Sequence, residues 1–120
     1  MRKILLIEDD EATAQAYAES FSEEYSVEVA TSAQQGLTQA IHSKPDLILL
    51  DIMLPGGKNG FDFLQDLKNN SQISQIPVVI LTNLDDQRQA ALDYGAQECF
   101  VKANTSIPEI EVAIEKLLKK

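Results

Sequence analysis

The sequence predicts an α/β fold, a doubly wound parallel sheet of five strands with helices on both faces. Two observations carry that prediction. Lys3 to Ile7, Asp46 to Leu50 and Pro77 to Leu81 are short, almost wholly apolar runs, as expected of parallel strands buried between helix layers; half-exposed antiparallel strands would alternate. Segments of helical period separate the strands in strict alternation, which implies right-handed crossovers and helices on both faces.

Lys3 to Ile7 comes first, followed by a helix with Ala14, Tyr17, Ala18 and Phe21 on one face. Ser26 to Ala30 alternates, which suits an edge strand. Ser32 and Gln35 have capping-box spacing and start the second helix, whose inner face would carry Ala33, Leu37, Ala40 and Ile41. After Asp46 to Leu50, a third helix is expected from near Phe61 with Leu64 and Leu67 inward. Pro77 to Leu81 leads to a fourth helix from near Asp85, stopped by Gly95. Glu98 to Val101 alternates again and suits the other edge. Ser106 and Glu109 open a last helix that would bury Ile110, Ala113, Ile114, Leu117 and Leu118. The closing "KLLKK" reads as a helix end, after which an effector domain could follow in a longer chain.

At 120 residues the chain is expected to be a single domain over 1–120, without repeats or linkers. A net charge of −9 argues against direct nucleic-acid binding, which needs clustered Lys and Arg. Cys99 stands alone and cannot form an internal disulfide. The start "MRKILLIEDD" is unlike a signal peptide, and no apolar run approaches the roughly 18 to 20 residues of a membrane span. A soluble, cytoplasmic protein with no membrane partner is the expectation.

Functional groups in doubly wound sheets gather at the carboxyl ends of the strands. Glu8, Asp9, Asp10 and Glu11 follow the first strand and Asp51 follows the third. If those strands are neighbours, Glu8, Asp9 and Asp51 share one pocket. Their mutual repulsion would raise one pKa unless a cation intervened. Oxygen donors without His or Cys suit Mg²⁺. Thr82 ends the fourth strand with a hydroxyl and Lys102 follows the fifth with an ammonium. Such a set suits phosphoryl transfer, with Asp51 able to act as nucleophile. Asp10 and Glu11 could instead serve the dipole of the first helix, His42 reads as an exposed helix-end residue, and Cys99 as a small buried hydrophobe.

The whole chain resembles the receiver domain of bacterial two-component response regulators, through "ILLIEDDE", "PDLILLDIMLPG", "IPVVILT", "GAQECFVK" and the spacing among them. The resemblance implies a flavodoxin-like strand order 2-1-3-4-5 and a phosphorylation switch. By position it makes Asp51 the phosphoacceptor and Asp9 a direct Mg²⁺ ligand. Glu8 would act on the ion through water, and Met53 would give its backbone carbonyl. Thr82 and Lys102 would bind phosphoryl oxygens. A histidine kinase or phosphotransfer protein would supply the group, the chain would hydrolyse it slowly itself without acting on external substrates, and the face of the fourth helix, last strand and last helix would meet an effector or form a homodimer.

Several positions depart from that family. Cys99 stands where Tyr or Phe usually relays the switch, with Phe100 on the opposite face of the strand. Ala103 follows Lys102 where a proline with a cis bond is usual, so a trans bond or a rearranged loop is expected. "PGGKNG" is one residue longer than usual, with Gly56, Gly57 and Gly60 free to take positive φ. Met53 and Leu84 are apolar where faster members orient the attacking water, which predicts a long-lived phosphoryl state. Rival readings are an aspartate phosphatase, which would want an acid at Met53, a flavin or nucleotide binder, which Glu8, Asp9 and Asp10 would repel, and a degenerate receiver that binds partners without phosphorylation.

Overall fold

A computed structural model describes residues 1–119. Strands β1 (Arg2–Ile7), β2 (Tyr25–Ala30), β3 (Leu47–Leu50), β4 (Val78–Thr82) and β5 (Glu98–Val101) alternate with helices α1 (Glu11–Phe21), α2 (Ala33–Ser43), α3 (Gly60–Lys68), α4 (Arg88–Asp93) and α5 (Ile107–Leu118). All pairings are parallel, and the order is β2-β1-β3-β4-β5. The alternating segments are therefore the edges, as expected. Lys120, the last residue of "KLLKK", lies outside the described residues.

Period-2 alternation divides the central strands between two cores. Ile48, Leu50, Val78 and Ile80 pack with α2, α3 and α4 through Ala33, Ala40, Phe63, Leu64, Leu67 and Ala91. Ile4, Leu6, Leu47, Leu49, Val79 and Leu81 pack with α1 and α5 through Ala14, Tyr17, Phe21, Ile110, Ile114 and Leu118. Phe100 joins the second cluster and Cys99 the first, so they do lie on opposite faces.

Some boundaries and faces differ from the sequence reading. Ile41 is 38% exposed, because the inner stripe of α2 runs through Ala33, Gly36 and Ala40. On α5, Ala113 and Leu117 are only partly buried, beside the buried row Ile110, Ile114 and Leu118. Helix α4 begins at Arg88 rather than near Asp85 and is six residues long; its N-cap Gln87 makes no capping bond. Gly95 ends it at φ +106, as expected. Ser32 caps α2 by accepting from the Gln35 N–H, but the Gln35 side chain turns to the Thr31 amide, so that capping box is incomplete. The Ser106–Glu109 box of α5 is complete. So is an unanticipated one at Asn59–Asp62, which opens α3.

Candidate functional site

The register of the sheet assembles the site. Ile7, Leu50 and Ile80 lie side by side, so β1 and β3 deliver Glu8 and Asp51 at the same level. The Glu8 amide donates to the Ala30 carbonyl and the Asp51 amide to the Ile7 carbonyl, fixing both backbones just beyond the strands. Carboxylate oxygens of Glu8, Asp9 and Asp51 lie within 4.8 Å of one another. Glu8 and Asp51 are buried and Asp9 is exposed. The cluster opens into a pocket of about 820 Å³, also lined by Thr13, Tyr17, Met53, Asn83, Lys102 and Ile107.

Lys102 spans the cluster. Its Nζ donates to Glu8 Oε1 at 2.6 Å and stands 3.5 Å from Asp51 Oδ2. Glu8 Oε2 accepts from the Asp10 amide, so both oxygens of Glu8 have protein partners. Burial works to lower the pKa of Lys102, but the bond to Glu8 and the charges of Asp51 and Glu8 outweigh it and hold the ammonium above its ordinary value. Asp51 moves the other way. Its pKa is pushed up to about 6, first by burial and next by Glu8, against the charge of Lys102 and the Met53 amide, which donates to Oδ1.

One ammonium against three carboxylates leaves two negative charges uncompensated in a mostly buried cluster. Hard oxygen donors with that residual charge fit a hard divalent cation, and no nitrogen or sulfur ligand stands among the three. Asp10 belongs to the helix rather than to this cluster. It is the N-cap of α1 and accepts from the Thr13 amide and hydroxyl, and those bonds lower its pKa.

Of the residues read from the sequence, Glu8, Asp9, Asp51, Met53 and Lys102 line the pocket. Thr82 does not. It shares the pleat parity of Val78 and Ile80, is fully buried, and its Oγ1 accepts from the Leu84 amide at 3.1 Å. The same parity brings Asn83 to the pocket in line with Val79 and Leu81, a residue that strand alternation could have found. Tyr17, read only as core, also reaches the pocket. Met53 is 60% exposed at its rim.

The loop after β3 is shaped by two different glycine requirements. Gly56 and Gly57 take φ of +88 and +87, as expected. Gly60 does not. A Cβ there would lie 2.7 Å from the Asp51 carbonyl oxygen and 2.8 Å from Ile52 Cα, so its role is to let α3 start directly against the site. Among the described residues no peptide bond is cis, so the bond after Lys102 is trans, one of the two outcomes expected there, and Lys102–Asn104 form a single 3₁₀ turn. His42 is exposed in the last turn of α2, and Cys99 is buried, with burial raising its thiol pKa.

A family model described as the response regulator receiver domain matches residues 4–115. The response regulator ArlR of Staphylococcus saprophyticus is 34% identical over 123 aligned residues, covering 100% of this chain and 54% of that protein. The transcriptional regulatory protein HprR of Escherichia coli is 40% identical over 103, covering 83% of this chain and 44% of that protein. This chain thus spans about half the length of these curated relatives. Among solved structures, the BeF3-activated N-terminal receiver domain of Klebsiella pneumoniae RstA superposes with a TM-score of 0.90 at 30% identity, covering 99% of this chain and 100% of that one.

Proposed function

We propose that this chain, which belongs to the response regulator receiver domain family, is a cytoplasmic signalling switch. Asp51 would accept a phosphoryl group from a histidine kinase or histidine phosphotransfer protein. The observation that carries this reading is the gathering of the Asp51 carboxylate with Glu8, Asp9 and the ammonium of Lys102 on the floor of one pocket. An oxygen of Asp51 attacks phosphorus, the bond from phosphorus to the donor's imidazole nitrogen breaks, and its electron pair stays on that nitrogen. Hydrolysis later returns the carboxylate and releases inorganic phosphate. Lys102 faces the charge of the phosphoryl oxygens. Asp9, Asp51, the Met53 carbonyl and, through water, Glu8 would hold Mg²⁺, which when bound neutralises charge on those oxygens.

Thr82 Oγ1 accepts from the Leu84 amide and keeps its own proton to donate to a phosphoryl oxygen, so Thr82 would couple occupancy of Asp51 to the β4–α4 loop. The output face in this reading is α4, β5 and α5, where a groove of about 370 Å³ carries Phe100, Leu117 and the exposed Val112. A downstream effector, or a second copy after phosphorylation, would dock there. The chain acts on its own aspartate and not on external substrates.

Treatment with acetyl phosphate and Mg²⁺ is expected to add the mass of one phosphoryl group, and Asp51→Asn to abolish the addition. Failure of Mg²⁺-dependent modification at Asp51 overturns the switch and leaves a phosphorylation-independent binding module. Because Met53 and Leu84 offer no polar group to the attacking water, the acyl phosphate is expected to last minutes or longer in acid-quenched time courses; loss within a few seconds contradicts that.

A further inference from the structure

The α1 wall of the pocket is made of Ala12, Thr13, Ala16 and Tyr17, with Ile107 contributed by α5. Its polar groups are two hydroxyls, and that of Thr13 is tied to Asp10. Tyr17 is anchored below. The residue is 8% exposed, its ring lies parallel to that of Phe21 with centroids 6.0 Å apart, and it packs in the cluster shared with Ile4, Leu6 and Leu49. A leucine could fill that core, but it could not also reach the acidic pocket. We infer that Tyr17 is a phosphoryl-binding residue of the Asp51 site, its hydroxyl donating a hydrogen bond to an oxygen of the phosphoryl group.

Three features support this. The floor of the pocket is rich in acceptors, Glu8, Asp9 and Asp51, whereas a phosphoryl group brings further acceptor oxygens and needs donors. The main cationic donor, Lys102, is shared with Glu8 at 2.6 Å. The Tyr17 hydroxyl also feels the pocket directly: burial raises its pKa, and the charges of Lys102, Glu8 and Asp51 all act on it. A phenol held by a buried ring has little freedom left to lose, so its bond comes at small entropic cost.

This inference rests on the switch reading above, and beryllofluoride with Mg²⁺ is the probe that separates the two. Tyr17→Phe keeps the ring and removes one donor. It is expected to unfold at the wild-type temperature and to bind Mg²⁺ as the wild type does, while its beryllofluoride affinity falls about three- to tenfold, the loss of one hydrogen bond. With no Trp and three Tyr in the chain, tyrosine emission supplies a second readout. The emission change that accompanies beryllofluoride binding is expected to vanish in Tyr17→Phe and persist in Tyr94→Phe. Affinity within twofold of wild type, or an unchanged emission response, overturns the role of Tyr17. Should the wild type itself bind no beryllofluoride, the switch reading falls and this inference with it.

Discussion

At Asp51, burial and the neighbouring Glu8 raise the pKa to about 6, above the 3.8 of an ordinary aspartate. Between those values the folded protein holds more protons than the unfolded chain, so stability falls as pH rises through the interval, and the full cost is carried above pH 6. That cost is at most about 3 kcal/mol. With divalent ions chelated, Asp51→Asn is expected to stabilise the protein at pH 7.5 by roughly 1–3 kcal/mol, and the gain to disappear by about pH 4. Urea unfolding of both proteins across that range checks it; a destabilised variant at pH 7.5 would show that Asp51 is satisfied as a charge by Lys102 alone. Cys99 illustrates a second residue-scale choice. It packs with Ile80 and Ala91, so the position of the missing aromatic relay is filled by a small buried thiol.

Among the helices, α4 is the least secured. It has six residues and one buried side chain, Ala91, whereas α5 has twelve residues, a complete capping box and the buried row Ile110, Ile114 and Leu118. Its tie to β5 is Arg88, which donates to the Cys99 carbonyl at 2.7 Å and pairs with Glu98 at 2.8 Å, an exposed pair worth little on its own. Local opening should therefore cost much less here than elsewhere. In native-state hydrogen exchange the amides of residues 91–94 are expected to exchange at least tenfold faster than those of 111–118. Equal protection would contradict the proposal that this helix moves readily when Asp51 is phosphorylated.

For the whole molecule, an ion held by the cluster of Glu8, Asp9 and Asp51 would link folding to ion binding. An ion that binds the folded state at about 100 times its dissociation constant adds about 2.7 kcal/mol, or roughly 10 °C in Tm for a domain of this size. Mg²⁺ is expected to raise Tm by such an amount, and Asp9→Asn to remove most of the rise; an equal shift in both proteins would place the ion elsewhere. The fold that supports the cluster was legible in the sequence, because continuous apolar runs between amphipathic segments admit little besides a parallel sheet covered on both sides. Glu8, Asp9, Asp51 and Lys102 were legible as well, since each lies within two residues of the carboxyl end of a strand. Less legible were α4, whose N-cap Gln87 makes no capping bond that would mark its start, and the exposure of Ile41, which depends on how α2 is rotated. Local sequence thus determined the strands, most helices and the acids of the pocket, through side-chain periodicity and the cost of burying charge. Tertiary structure alone decided that Lys102 bonds Glu8 more closely than Asp51, that Thr82 is fully buried while Asn83 and Tyr17 line the pocket, and that Gly60 is needed for close approach. Those outcomes follow from strand register and pleat parity, which relate residues far apart in the chain.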